Sequence, residues 1–202
     1  MVGSVFNPFP PDGKATADLI VQACGDLNPC KVAYLSGPKV FAYEAGRRTV
    51  LDAELAKHPN IQLVFEGEAA FQYDLGYKLT QDLLQAHPDV NVIDANGDQP
   101  AFGALQALKD AGVTGPKVIG TAASVQGVQA VKDGLLFGDT TTMPRTSIRA
   151  AYTMIKQKIA GVPIPDNGLG DMLDLSPIGP IITKENADQF PAEWSCGACV
   201  LK

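Results

Sequence analysis

The chain has 202 residues, room for one large domain or two small ones. Hydrophobic residues make up 46% and charged ones 19%, a globular balance that excludes wholesale disorder and collagen-like or coiled-coil chains. With 16 Lys and Arg against 22 Asp and Glu, the net charge of −6 and the lack of a basic run make the chain a poor candidate for binding nucleic acid, whose phosphates need a basic surface.

Five strands are predicted, each a short apolar, β-branched run. In chain order they are Lys31–Gly37, Ile61–Gly67, Val90–Asn96, Lys117–Ala122 and Leu135–Thr141. Amphipathic stretches separate them. Leu75, Leu79 and Leu83 recur at helical spacing, as do Val125, Val128 and Val131. Asp98 is a predicted N-cap with Pro100 in the first turn, and Gly112 stops that helix after Ala111. His58 and His87 each precede a proline, which disfavours helix at the residue before it, so both read as helix terminators. A last long helix carries Ile148, Tyr152, Ile155 and Ile159 in one apolar stripe. The segment from Val162 onward is rich in Pro and Gly, with short extended pieces at Asp171–Leu175 and Pro180–Thr183.

Strand and helix in alternation imply parallel pairing through helical crossovers. The expected fold is therefore α/β, a doubly wound parallel sheet with helices on both faces. Ligands of such sheets sit beyond the carboxyl ends of the strands. The loops of interest are Ser36–Tyr43, Glu68–Tyr73, Ala95–Asp98, Thr121–Ser124 and Thr140–Pro144.

Signatures of catalysis are lacking: the chain has no GxGxxG, P-loop, GxSxG, HExxH or EF-hand loop. Asp94, Asp98 and Asp139 lie near strand ends and have the chemistry of acids, although caps use the same residue types. Four cysteines form two local pairs, Cys24 with Cys30 and Cys196 with Cys199. Five residues between the first two argue against a zinc site. Only three residues follow Cys199, which argues against a thioredoxin-like motif opening a helix. Two short disulfides in an oxidising compartment fit the even count, with four plain thiols as the alternative. No metal or cofactor is implied. The apolar runs are too short to span a bilayer, and Met1-Val-Gly-Ser does not open a signal peptide.

The stretches KVAYLSG, RRTVLDAELAKHPNIQLVFEGEAAF, DLLQAHPDVNVIDANGDQPAFGALQALKDAG, KVIG and VQAVKDGLL, in that order, resemble the sugar-type solute-binding proteins of ABC importers, the ribose-binding group. The likeness runs from about Val2 to Phe190. It implies a non-catalytic, two-lobed clamp that closes on a small polar ligand such as a sugar, partnered by a membrane permease and located outside the cytoplasm. It further implies that residues 1–142 form the C-terminal lobe, and that 143–202 hold segments crossing to an N-terminal lobe plus a tail. The stripe on the last helix would then pack on that other lobe, and this chain alone would bind sugar only at about millimolar affinity.

Residue by residue, the resemblance places Phe71 as a stacking aromatic, with core packing as its alternative reading. Family positions for a ligand-binding Arg, Asn, Asp and Gln fall on Ala45 (Arg47 and Arg48 following), Gly97, Ala122 and Thr142. Ala45, Gly97 and Ala122 offer no side-chain donor, which argues against simple ribose recognition. The candidate ligand set is Phe71, Asn96, Asp98, Thr121, Thr142 and Tyr43, with Lys39 weaker. Two other readings remain: an effector domain of a transcription regulator, for which no helix-turn-helix is present, and a small α/β enzyme using Ser36–Lys39.

Overall fold

The computed structural model describes residues 9–163 and 176–201. The elements are α1 (Phe9–Cys24), β1 (Cys30–Ser36), α2 (Ala42–Leu55), β2 (Ile61–Glu68), α3 (Tyr73–Ala86), β3 (Val92–Ala95), α4 (Asp98–Asp110), β4 (Lys117–Thr121), α5 (Val125–Lys132), β5 (Gly138–Thr140), α6 (Pro144–Ile159) and β6 (Ile181–Ile182). The strands form one sheet in the order β2-β1-β3-β4-β5-β6. The first five are parallel, and β6 closes the edge antiparallel to β5.

Alternation along the strands builds two cores. Ala33, Leu35, Ile93, Ala95 and Val118 face α3, α4 and α5, while Val32, Tyr34, Val92 and Ile119 face α1 and α2. Both faces are thus covered, as parallel sheets require. The central strands are buried except at Lys31 and Lys117 at their starts, whereas edge strand β2 is half-buried or exposed along its length.

Several boundaries differ from the sequence expectations. Helix α1 is absent from the predicted elements, although Leu19, Ile20 and Ala23 form its buried face. Strand β5 begins at Gly138 rather than Leu135, because the N–H groups of Leu135 and Leu136 bond back to the Ala130 carbonyl at the exit of α5. The N-cap of α4 is Gly97, not Asp98; the Asp98 side chain is used elsewhere. The predicted piece at Asp171–Leu175 lies outside the described residues. On α6 only Met154 is buried, and the predicted stripe points outward, with Ile148 70% and Ile159 82% exposed.

Cys24 is bonded to Cys30, tying the end of α1 to the start of β1, and Cys196 is bonded to Cys199. No helix of the described residues is long and apolar enough to cross a membrane.

Candidate binding site at the strand ends

The β2–α3 loop turns sharply at Ala70 and Phe71, whose φ angles of 49° and 59° lie in the left-handed region. That conformation is uncommon for residues with a side chain and is held only where the surroundings demand it. The Phe71 ring lies against the ends of β1 and β3, where neither neighbour carries a side chain. A Cβ on Gly37 would fall 2.7 Å from Phe71 Cζ, and one on Gly97 would fall 3.3 Å from Cδ1. The half-buried ring lines a concavity of about 550 Å³ with Gln72, Asp74 and Gln99. Gly197, Ala198 and Val200 of the C-terminal segment also line it.

A buried polar network underlies this ring. The Asn96 amide donates to Glu44, and the Tyr34 hydroxyl donates to the other Glu44 oxygen. Arg47 donates to Tyr34 (2.7 Å), to Thr16 (2.7 Å) and to Asp12 (2.8 Å), and sits 3.6 Å from Asp94. Burial pushes the Asp94 carboxyl up to about 6, against the pull of Arg47. Burial opposes the charge on Arg47 too, but Tyr34, Asp94 and Asp12 outweigh it and hold its pKa well above the ordinary value. Tyr43 belongs to the first turn of α2 and gives its hydroxyl to Asp12 at 2.6 Å, so it faces α1. Burial raises its pKa.

A second polar cluster surrounds the β4–α5 turn. Ala122 and Ala123 have φ of 99° and 51°, a strained pair costing roughly 1–3 kcal/mol each. Surrounding bonds hold them: the Ala122 N–H donates to the Thr140 carbonyl at 3.0 Å, and the Trp194 indole N–H donates to the Ala122 carbonyl at 2.7 Å. The Ala123 N–H reaches Asp139 at 3.2 Å, and the Ser124 N–H reaches Asp98 at 2.7 Å. Asp98 and Asp139 are fully buried and converge on Gly127, where a Cβ would lie 2.5 Å and 2.6 Å from their oxygens. Burial raises both carboxyls, and for Asp139 the neighbouring Asp98 charge adds to it.

The candidate ligand residues therefore separate. Phe71 and Asn96 meet through Gly37, Gly97 and Glu44. Thr121 ends β4 with its hydroxyl buried and, like Asn96 Oδ1, without a hydrogen-bond partner. Thr142 is half-buried just beyond β5. The Asp98 carboxylate lies beneath the α5 N-terminus, where it accepts from the Ser124 N–H. The Tyr43 hydroxyl is turned toward α1, where it donates to Asp12. Glu44, Gln99 and the C-terminal residues were not legible in the sequence, because acidic and amide residues in a first helical turn read as ordinary surface.

The profile of the periplasmic binding protein domain family matches residues 11–162. The xylitol-binding protein of Mycolicibacterium smegmatis is 27% identical over 158 residues, 78% of this chain and 43% of that protein. The ribose import binding protein RbsB of Salmonella typhimurium is 33% identical over 132 residues, 65% of this chain and 44% of that protein. Among solved structures, an ABC transporter periplasmic solute binding protein from Actinobacillus succinogenes with bound D-allose superposes with a TM-score of 0.83 at 22% identity. It matches 93% of this chain and 64% of its own. An ABC transporter solute binding protein from Mycobacterium smegmatis with bound glycerol gives 0.80 at 25% identity, over 95% of this chain and 66% of its own. The chain thus spans less than half the length of these two sequence relatives, which are named as binding proteins and not as enzymes. By fold and by sequence, the chain belongs to the periplasmic binding protein domain family.

Proposed function

We propose that the chain binds a small polyhydroxylated molecule, a sugar or sugar alcohol, beyond the carboxyl ends of β1–β5 and performs no chemistry on it. In this reading it is the ligand-binding component of an ABC importer and works outside the cytoplasm with a membrane permease. The observation that carries the proposal is Phe71, held in a left-handed turn against two glycines at the edge of an open concavity. An aromatic face there suits the C–H face of a sugar ring, while Asn96 Oδ1 and Thr121 Oγ1 are buried acceptors without partners. The xylitol, ribose and allose in the names of its relatives support the ligand class. Two buried disulfides support an oxidising compartment.

Residues 1–142 act in this reading as one lobe of a clamp, and 143–202 supply connections and the tail. The outward apolar stripe on α6 supports a second lobe packed there. Ala45 lines a separate cavity of about 210 Å³ with Lys39, Glu44, Arg48 and Glu66.

NMR-detected titration with D-ribose, xylitol and D-allose tests the reading. Binding by this 202-residue chain is expected near the millimolar range, about 4 kcal/mol. Phe71→Ala should weaken it about tenfold, the scale of one aromatic face withdrawn from contact. Equal affinity for wild type and Phe71→Ala would remove the proposed site.

A further inference from the structure

We infer that the disulfide-closed turn Cys196–Cys199 is itself part of the ligand site, supplying the wall across the concavity from Phe71; this rests on the binding function proposed above. Gly197 and Ala198, the two residues inside the bridge, are exposed and line the same concavity as Phe71 and Gln99. Their cysteines are buried at 2% and 3% exposure, so the bridge anchors in the core while the turn faces outward.

The residues leading into the turn are fastened to two strand-end loops, those after β4 and β5. Glu193 accepts from the Thr146 N–H at 2.8 Å at the start of α6, and its carbonyl accepts from Arg145 at 3.0 Å. The Trp194 carbonyl accepts from the Val125 N–H at 2.9 Å, and its indole holds the strained Ala122 turn. The Gln126 amide grips the chain twice, donating to Ser195 Oγ at 2.9 Å and accepting from the Cys196 N–H at 2.7 Å. A segment meant only to cover the core needs no such set of directed bonds to the loops beyond β4 and β5. The fastening fixes the height of the Gly197–Ala198 wall relative to Phe71, and the bridge keeps four residues from spreading.

The wall is open to substitution. A Cβ on Gly197 would meet nothing within 4 Å, and its φ lies outside the left-handed region, so a large side chain there enters the concavity without disturbing the fold. In titrations with D-ribose and xylitol, Gly197→Trp should lower affinity roughly tenfold or more while the melting temperature holds. The Cys196→Ser/Cys199→Ser pair should weaken binding roughly threefold to tenfold by releasing the turn. Cys24→Ser/Cys30→Ser, at the opposite end of β1, should leave affinity unchanged. The Ala198 methyl resonance should shift along with those of the Phe71 ring. Shifts at Phe71 with Ala198 silent and Gly197→Trp binding normally would overturn the inference alone. Silence at both positions with both probes would overturn it together with the binding function on which it rests.

Discussion

Arg47→Met is expected to cost about 3–5 kcal/mol of stability, the largest loss expected from any single substitution in this fold. Arg47 has no solvent exposure and is the only cation in direct ion-pair contact with Asp12 and Asp94 among the described residues. Its guanidinium also orients Tyr34, which in turn holds Glu44 beneath Phe71. Methionine fills much of the same space but leaves those acids buried with no counter-charge, and breaking one partner of such a group costs more than the intact group contributes. Urea unfolding at pH 7 checks the expectation. Acidification toward pH 5 should return part of the loss, since a neutral Asp94 carboxyl no longer needs the cation. A change below about 1 kcal/mol would mean that water reaches the cluster and that it is not closed.

Stability should also fall as pH rises from the acid side, a consequence of the buried acids on both faces of the sheet. For a carboxyl whose folded pKa lies above its unfolded value, the folded chain retains a proton that the unfolded chain releases. Its stabilisation is complete below the unfolded pKa and is lost as pH climbs through the folded one. For Asp94 that window runs from its ordinary 3.8 to about 6. Asp98 and Asp139 act in the same direction, raised first by burial, and no Lys or Arg among the described residues forms an ion pair with either. Asp139→Asn keeps the acceptor for the Ala123 N–H and replaces a repelled charge with a donor aimed at Asp98. It should stabilise the chain at pH 7 on the order of 1 kcal/mol, one buried hydrogen bond gained, and flatten the decline. Thermal melts of wild type and Asp139→Asn across pH 4–8 decide this; parallel curves would show that the buried Asp139 charge does not contribute to the decline.

The parts of this structure that were legible in the sequence are those fixed by local pattern. The β-branched runs of β1, β2 and β4 pair where expected, and His87 caps α3. Phe71 is identified through the family likeness and stands at a strand-end concavity. What escaped depends on contacts far apart in the chain. Asp98 reads as a helix cap until Ser124, 26 residues on, is seen to take its carboxylate. Trp194 reads as an incidental tail residue until its indole is found on Ala122, 72 residues away. Helix α1 was hidden because its apolar face is made largely of small residues, with Ala15, Ala17 and Ala23 buried beside Leu19 and Ile20.

The most direct test of a ligand site beyond the strand ends is a crystal structure of this chain soaked with D-ribose or xylitol. Ligand density is expected with its C–H face on the Phe71 ring, within about 4 Å, and with its hydroxyls toward Gln72, Asp74 and Gln99 of the same concavity. Density confined to the outward face of α6, or a Phe71 ring closed over an empty concavity at saturating ligand, would contradict it.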